Sequence, residues 1–176
     1  MKPIRVIPIE TERLVLRPFA VEDAEAMYNN WASDDSVTRY LTWPTHPNVE
    51  ATRQCIEYWR STNDPTWCVV LKETGEPIGS ISVVSVEGES VEVGYCYQRA
   101  QWGKGLAAEA LRALINCLFH TFAVDEVTAK HDVNNPNSGR VMQKSGMRFV
   151  AICEKGGQNN QGVCDVAVYA LKRDAL

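Results

Sequence analysis

The 176-residue sequence has no long hydrophobic run, no excess of positive charge and no clustered cysteines. No apolar stretch approaches the roughly 18 residues that a membrane-spanning helix needs. Charged residues and prolines interrupt the first ten positions, so no secretory h-region is expected there. We therefore predict a protein that neither spans a membrane nor binds one.

The net charge and the distribution of cysteines further limit the classes of protein to which the sequence can belong. The formal net charge is −4, so the chain has no overall field that would attract nucleic acid, and no direct nucleic-acid partner is predicted. The six cysteines are scattered singly, which is typical of reduced thiols and favours a cytoplasmic location. His, Cys, Asp and Glu show no metal-ligand spacing, so no metal is expected. With 45% hydrophobic residues, the chain is predicted to form one domain over residues 1–176.

What the sequence does contain is a glycine-rich turn between a predicted strand and a predicted helix. The turn reads Trp102-Gly103-Lys104-Gly105-Leu106-Ala107. Apolar residues then recur at helical spacing from Ala107 to Phe122, which predicts a long amphipathic helix. The start of a helix offers unpaired N–H groups and a positive dipole end, and small residues let an anion approach them. The turn is therefore a predicted seat for a phosphate-bearing ligand.

Two other phosphate-binding loops compete for this turn. A Walker loop needs Ser or Thr after Gly-Lys, but Gly105 follows Lys104. A dinucleotide fingerprint fits the letters G-x-G-x-x-A, and Asp125 lies at about the ~20-residue offset. However, Asp125 opens a predicted strand instead of closing one, and the segments before the turn predict consecutive strands. A dehydrogenase is therefore a distant alternative.

The strand before the turn, residues 90–97, alternates apolar with small or polar residues and is interrupted by Gly94. An isolated glycine in a strand indicates a bulge or a close backbone approach, and we predict a bulge at Gly94. A second strand over Val127 to His131 follows the long helix, and a strand-helix-strand crossover makes the two strands parallel. If they splay apart, their free backbone groups could pair with an amide-bearing ligand arm.

The remaining segments predict a strand at Leu14 and Leu16, a helix over residues 20–31, and a second helix capped by Asn48. Two antiparallel strands are predicted over residues 67–71 and 78–86, joined by a Gly-Pro turn. Near residue 135, an Asn-Pro start predicts a further helix that ends before Gly146, with Asn135 as its N-cap.

Three ordered stretches resemble the GNAT superfamily of N-acetyltransferases. The acetyl-CoA loop of that family is written Gln/Arg-x-x-Gly-x-Gly/Ala, whose last two fixed positions fall on Gly105 and Ala107, while Trp102 replaces the first. The form Trp-Gly-Lys-Gly-x-Ala-x-Glu-Ala is similar to that of the bacterial ribosomal-protein N-terminal acetyltransferases. The other two stretches are Thr11-Glu12-Arg13-Leu14-Val15-Leu16-Arg17-Pro18, followed by Asp23, and Asn135-Pro136-Asn137-Ser138-Gly139-Arg140-Val141-Met142-Gln143-Lys144-Ser145-Gly146-Met147.

The resemblance covers roughly residues 9–172 and implies an α/β (α+β) GNAT fold, in which a mixed, mostly antiparallel sheet with two splayed parallel central strands is flanked by helices. It also implies acetyl-CoA as co-substrate, with the backbone near residues 95–97 reaching the pantetheine arm and acetyl group. The implied coenzyme contacts are Tyr95, Cys96, Tyr97, Trp102, Gly103, Lys104, Gly105, Leu106, Ala107 and Asn135. From the residues alone, the capping role of Asn135 is favoured over a coenzyme contact.

Direct attack of an amine on a thioester needs an oxyanion donor, a proton for the leaving sulfur and a base. A backbone N–H near Cys96 or Tyr97 is the predicted oxyanion donor. The resemblance turns Ser138 towards the coenzyme sulfur, although a serine at a helix start can equally serve the backbone. Glu92 is the candidate base, with a solvated or salt-bridged role slightly favoured. His131 is the alternative base.

The amine acceptor is the least constrained part of the prediction. Residues 40–44, which read Tyr-Leu-Thr-Trp-Pro, are expected to line the acceptor side, although aromatic residues there could equally be core. We predict acetyl transfer to a primary amine, preferably a protein N-terminal α-amine such as that of a ribosomal protein. The alternatives are a polyamine or antibiotic amine, and a CoA-binding sensor without turnover. The sequence leaves the oligomeric state open, a homodimer included.

Overall fold

The computed structural model describes residues 1–175, in which strands and helices alternate irregularly along the chain. The strands are β1 (Ile9–Glu10), β2 (Leu14–Pro18), β3 (Thr66–Leu71), β4 (Pro77–Glu87), β5 (Ser90–Tyr97), β6 (Glu126–Asp132), β7 (Arg148–Asn159) and β8 (Gly162–Lys172). The α-helices are α1 (Ala24–Met27), α2 (Asp35–Thr38), α3 (Val49–Thr62), α4 (Leu106–His120) and α5 (Pro136–Lys144). The predicted helix over residues 20–31 is composite, because a 3₁₀ turn precedes α1 and a π turn follows it.

The described strands form one eight-stranded sheet in the order β1-β2-β3-β4-β5-β6-β8-β7. β5 and β6 run parallel, and the other neighbouring pairs run antiparallel. This confirms the predicted mixed, mostly antiparallel sheet and the parallel crossover through α4. No helix of residues 1–175 combines the length and the apolar character that crossing a bilayer requires.

The parallel pair separates after a short contact. Its register has three pairs, the last of which joins Glu92 to Thr128. β5 continues for five residues beyond Glu92, and there it keeps its pairing with β4 but has none with β6 in the described chain. The predicted splay is therefore present, and it opens a gap in the middle of the sheet.

The predicted bulge falls on β4 instead of at Gly94, and of the two interpretations of that glycine the close approach is confirmed. The register shift between β4 and β5 falls between Val83 and Ser85, so the extra residue is Val84 of β4. Gly94 instead allows a close approach, because a Cβ there would lie 3.2 Å from the Val84 side chain. A glycine opposite a bulge leaves room for the bulged side chain, which explains why the sequence signal appeared on the wrong strand.

The two faces of the sheet carry separate cores. On one face α4 packs its apolar side against alternate residues of β5, including Val91, Val93 and Tyr97. On the other face, residues of α1 and α3 pack around Cys96 and the neighbouring strands. The side chains of β5 therefore point alternately towards the α4 layer and the α1–α3 layer.

Caps fix the ends of several helices. The Asn48 side chain accepts a hydrogen bond from the Ala51 amide at 2.9 Å, as the N-cap prediction required. Pro136 opens α5 and Gly146 follows its end with a φ of 88°, both as predicted. Asn135 occupies the N-cap position of α5 as predicted, but its side chain makes no capping hydrogen bond.

The β7–β8 hairpin has no counterpart among the sequence predictions. Its tip crosses to the loop that follows α2. There Asn160 Nδ2 donates to the carbonyls of Thr38 at 2.9 Å and Trp43 at 2.8 Å, and the Asn160 amide donates to Leu41 at 3.1 Å. These bonds tie the β7–β8 hairpin to the loop that follows α2.

Candidate active site

A cleft of about 1340 Å³ occupies the gap between β5 and β6. Its lining includes residues from both sides of the sheet, among them the start of α4 and α5 on one side and the loop after α2 on the other. The cleft therefore gives two ligands access to one point from opposite faces.

The glycine turn forms the part of the cleft that lies at the start of α4. Gly103 and Gly105 have φ values of 75° and 78°, a backbone conformation that side chains disfavour. The Glu109 amide donates to the Gly105 carbonyl at 3.1 Å, so the amides of Leu106, Ala107 and Ala108 lie ahead of the helical ladder. These free amides and the positive end of the α4 dipole face the same part of the cleft. This end of the cleft is therefore suited to an anion.

An ion pair from another part of the chain supports this turn. Arg13 Nε lies 2.7 Å from Glu109 Oε2, and Arg13 Nη1 donates to the Lys104 carbonyl at 2.9 Å. The other oxygen of Glu109 accepts hydrogen bonds from the Thr11 hydroxyl at 2.6 Å and the Arg13 amide at 2.8 Å. Burial opposes ionisation of Glu109, but these hydrogen bonds outweigh it and lower its pKa. The stretch around Thr11 thus fixes the turn, a function that the sequence patterns did not indicate.

Trp102 and Lys104 stand at the exposed edge of the turn. The Trp102 indole Nε1 donates to the Tyr97 carbonyl at 2.9 Å, which ties the turn to the end of β5. Lys104 Nζ donates to the Gln101 side chain at 3.1 Å. Arg140 and Lys144 of α5 line the cleft and add positive charge to it.

The backbone amides of β5 point alternately towards β4 and towards the gap. The Gln98 amide donates to the Ile78 carbonyl at 2.8 Å, and the same register pairs Cys96 with Ser80 and Tyr95 with Ile81. Because bonded residues alternate along an antiparallel ladder, the Cys96 amide faces β4. The amides of Tyr95 and Tyr97 face the gap. Of the two predicted oxyanion donors, only Tyr97 directs its N–H towards the cleft.

Ser138 meets a tyrosine hydroxyl in the cleft. The Tyr95 hydroxyl donates to the Ser138 carbonyl at 3.0 Å and lies 3.1 Å from Ser138 Oγ. Burial raises the pKa of Tyr95, and the Ser138 hydrogen bond only partly offsets that rise. The tyrosine therefore keeps its proton. The sequence prediction included the backbone of Tyr95 but missed this hydroxyl. Asn135, with no capping bond, lines the cleft one turn before Ser138.

The structure places the two base candidates differently. Glu92 lines the cleft and forms a salt bridge with Lys130, with Oε2 and Nζ 3.2 Å apart. The salt bridge was expected, and the position in the cleft leaves the role of base as a prediction. His131 lies under α5, because a Cβ on Gly139 would come within 2.5 Å of its Nε2. Its Nδ1 lies 2.8 Å from the Asp132 carbonyl, and its ring packs 5.7 Å from that of Tyr169. This packed position accounts for His131 without a role as base.

The acceptor side was predicted at residues 40–44. Tyr40, Leu41, Thr42 and Trp43 line the cleft on the face opposite α4. The Tyr40 hydroxyl donates to the Asn134 carbonyl at 3.2 Å, and Asn160 holds the same loop from the hairpin tip. Among residues 1–175, no group of three or more His, Cys, Asp or Glu side chains is placed to hold a metal.

Comparison with known proteins identifies the class that this fold and cleft define. The family model described as "Acetyltransferase (GNAT) domain" matches residues 13–148, and the chain belongs to this family. It is therefore an N-acetyltransferase.

Individual relatives agree along almost the whole chain. The Bacillus licheniformis protein named "Uncharacterized N-acetyltransferase p20" is 32% identical over 170 residues, covering 92% of this chain and 93% of the relative. The ribosomal-protein-serine acetyltransferase of Escherichia coli is 29% identical over 167 residues, covering 91% and 93%. The crystal structure of the microcin C7 self-immunity acetyltransferase MccE, in complex with acetyl-CoA and AMP, shares the fold with a TM-score of 0.81 at 18% identity. That comparison covers 92% of this chain and 93% of MccE.

Proposed function

We propose that the chain transfers an acetyl group from acetyl-CoA to a protein N-terminal α-amine, and that residues 1–176 act as one catalytic domain. The observation that carries the proposal is the gap between β5 and β6, which begins beside the glycine turn. Donors for a diphosphate and for an amide-bearing arm thus lie along one continuous cleft. MccE, a protein of the same fold, was crystallised in complex with acetyl-CoA.

The residues present fit each part of acetyl-CoA. The amides ahead of α4, together with Trp102, Gly103, Lys104, Gly105, Leu106 and Ala107, receive the diphosphate. The gap-facing backbone of Tyr95 pairs with the amides of the pantetheine arm, as an added strand would, and the Tyr97 amide is left for the thioester oxygen. Cys96 borders this arm, although its own amide faces β4. Asn135 and Ser138 lie at the sulfur end.

The chemistry is direct transfer. The nitrogen of a neutral amine forms a bond to the thioester carbon, and the C–S bond breaks to release the CoA thiolate. The Tyr97 amide stabilises the oxyanion, because it is fixed before reaction and needs no reorganisation. Ser138 Oγ donates a hydrogen bond to the departing sulfur, supported by Tyr95. Glu92 accepts the amine proton through water and is held in place by Lys130.

Support for the acceptor class comes from the Escherichia coli relative, whose name gives a serine of a ribosomal protein as its substrate. The same proposal assigns the enzyme to the cytoplasm, because the six cysteines are all free thiols.

The test is release of free thiol from acetyl-CoA with two sets of acceptors. One set contains peptides that begin with serine or alanine, and the other contains spermidine and an aminoglycoside. We expect release with the peptides, and fragmentation mass spectra that place the acetyl group on the α-amine. Turnover only with small amines would replace the proposed acceptor by a small molecule, and CoA binding without thiol release would replace catalysis by sensing.

Gly105→Asp tests the phosphate seat separately, through acetyl-CoA binding. A carboxylate there would face the diphosphate, so we expect loss of measurable acetyl-CoA binding by calorimetry. Gly75→Asp is the matched control, because Gly75 has a similar φ of 72° and a Cβ added there would meet nothing within 4 Å, but the residue lies outside the cleft. Unchanged affinity in Gly105→Asp would contradict the seat.

A further inference from the structure

A buried carboxylate lies on the acceptor side of the cleft and has no part in the steps above. Asp132 ends β6, is 6% exposed and lines the cleft. Its β6 neighbour His131 points the other way, under α5, so the Asp132 side chain lies on the face opposite the coenzyme seat. The carboxylate thus borders the end of the cleft that the amine must enter.

Asp132 is held by neutral donors. The Asn134 amide donates to Oδ1 at 2.8 Å, and Asn159 Nδ2 donates to Oδ2 at 2.9 Å. Burial alone would raise the pKa of Asp132, but the hydrogen bonds from Asn134, Asn159 and Cys164 outweigh it and lower the pKa. Asp132 therefore carries its charge at neutral pH.

No cation of the described residues pairs with this charge. Asp132 has no salt-bridge partner within residues 1–175, whereas Lys130, two positions earlier on the same face of β6, pairs with Glu92. Arg39 also lines the cleft but lies outside salt-bridge distance of Asp132. The hydrogen bonds stabilise this charge but come from neutral groups and do not cancel it, so the carboxylate can still attract a cationic group of a ligand.

We propose that Asp132 is the seat for the ammonium group of the acceptor before it loses its proton. The inference rests on the proposed function and adds the residue that receives the acceptor and the charge state in which the acceptor arrives, a protonated amine. An α-amine and an alkylamine both satisfy this, whereas an alcohol of the same shape does not. Asp132 thus contributes to amine affinity, and the acetyl-transfer chemistry stays with the groups at the thioester.

The test measures amine binding to the protein saturated with CoA, so that no natural acceptor is needed. Propylammonium and the neutral propan-1-ol are titrated at constant ionic strength and followed by NMR. We expect the wild type to bind propylammonium with a millimolar Kd and Asp132→Asn to bind it at least about ten-fold more weakly. The affinity for propanol should be the same in both proteins. Asparagine keeps an oxygen for the Asn134 amide but places an NH2 group opposite the Asn159 Nδ2 donor, so propanol binding reports whether the site keeps its structure. A purely structural effect would weaken propanol and propylammonium binding alike.

Asp125→Asn is the matched control, because it removes the same charge at a surface carboxylate that pairs with Arg173. Steady-state kinetics add a second readout: KM for a peptide acceptor should rise in Asp132→Asn while KM for acetyl-CoA stays the same. Equal propylammonium affinity in wild type and Asp132→Asn, or no propylammonium binding by the wild type, would overturn the ammonium seat alone. Failure of CoA itself to bind would instead contradict the proposed function.

Discussion

At the residue scale, the contact between Tyr95 and Ser138 determines which atom can reach the leaving sulfur. A tyrosine hydroxyl has one proton, and here it has two acceptors on the same residue, the Ser138 carbonyl and Oγ. When the hydroxyl donates to the carbonyl, Ser138 Oγ is oriented and its own proton is free to point into the cleft. The raised pKa of Tyr95 makes full proton donation to a thiolate unfavourable, so the pair acts by hydrogen bonding.

This contact leads to a prediction about two hydroxyl groups. Ser138→Ala should lower kcat by about ten-fold to 100-fold, the value of one hydrogen bond to a charged atom, with little change in the Kd of acetyl-CoA. Tyr95→Phe should lower kcat less, because Ser138 keeps its hydroxyl but loses its orientation. The double variant should match Ser138→Ala, since the two residues act through one atom.

Steady-state kinetics with calorimetry in parallel distinguish the possibilities. Additive losses in the double variant would show that Tyr95 acts independently of Ser138. A kcat unaltered in Ser138→Ala would return that serine to a role in the backbone of the α5 start.

At the element scale, the segment that leads into β2 is joined to α4 through Arg13 and Glu109, which lie 96 residues apart in the sequence. The arginine side chain is about half exposed, but Glu109 is 12% exposed and accepts three hydrogen bonds, from the Thr11 hydroxyl and from the amide and Nε of Arg13. Substitution at Glu109 should therefore loosen the start of α4 together with the edge that supports it.

Glu109→Gln should cost about 1–2 kcal/mol of the free energy of unfolding at pH 7, the value of weakened hydrogen bonds to a charged group. The pKa of Glu109 is lowered by folding, so its contribution is present above the unfolded pKa, near 4.3, and is lost as pH falls through the folded pKa. Urea unfolding at pH 7, 5, 4 and 3 should show a steady difference between the wild type and Glu109→Gln down to about pH 5, which narrows only as the pH falls below about 4.

Glu57→Gln on the exposed face of α3 is the matched control, and it should behave as the wild type throughout. A constant difference between Glu109→Gln and wild type across the pH range would mean that the charge of Glu109 contributes nothing. Glu109→Gln should also bind acetyl-CoA more weakly, because Glu109 positions Arg13 and Arg13 holds the Lys104 carbonyl of the turn.

Sequence patterns predicted the elements whose signals are local. The glycine turn, the helix that follows it and the two antiparallel strands before it each depend on residues within a few positions of one another. The β7–β8 hairpin was missed because β7 alternates poorly, with two register irregularities and mostly exposed residues. The turn at residues 159–162 is the part of the hairpin that a sequence pattern could have indicated, because Gly162 has a φ of 104° that favours glycine.

The sequence predicted only those site residues whose signal is local. Residues of the turn and of β5 were identified because they are consecutive, whereas the partners that orient them come from distant positions. Asp132 carries no signal in the sequence, because its burial and its lack of a cation depend on the tertiary arrangement. The bulge was assigned to Gly94 because a glycine is visible in the sequence, while an extra residue at Val84 becomes visible only through pairing with β5.

At the scale of the whole molecule, the sheet consists of two parts that meet at the cleft. β1–β5 form one part and β6–β8 the other, and the three residue pairs between β5 and β6 join them within the sheet. The bonds from Asn160 to the loop after α2 close the opposite end. A ligand that fills the gap therefore adds contacts to the folded state where three residue pairs join the two parts of the sheet.

Coenzyme binding should accordingly stabilise the molecule as a whole. At a concentration 100 times its Kd, acetyl-CoA should add about 2.7 kcal/mol, which corresponds to a rise in Tm of about 5–11 °C for a chain of this size. NAD at the same concentration should leave the Tm where it is, because the mostly antiparallel sheet lacks the doubly wound arrangement that dinucleotides use. Hydrogen exchange should slow most at the gap-facing amides of Tyr95 and Tyr97. Stabilisation by NAD in place of acetyl-CoA, or protection that spares β5, would contradict the placement of the coenzyme between the two parts of the sheet.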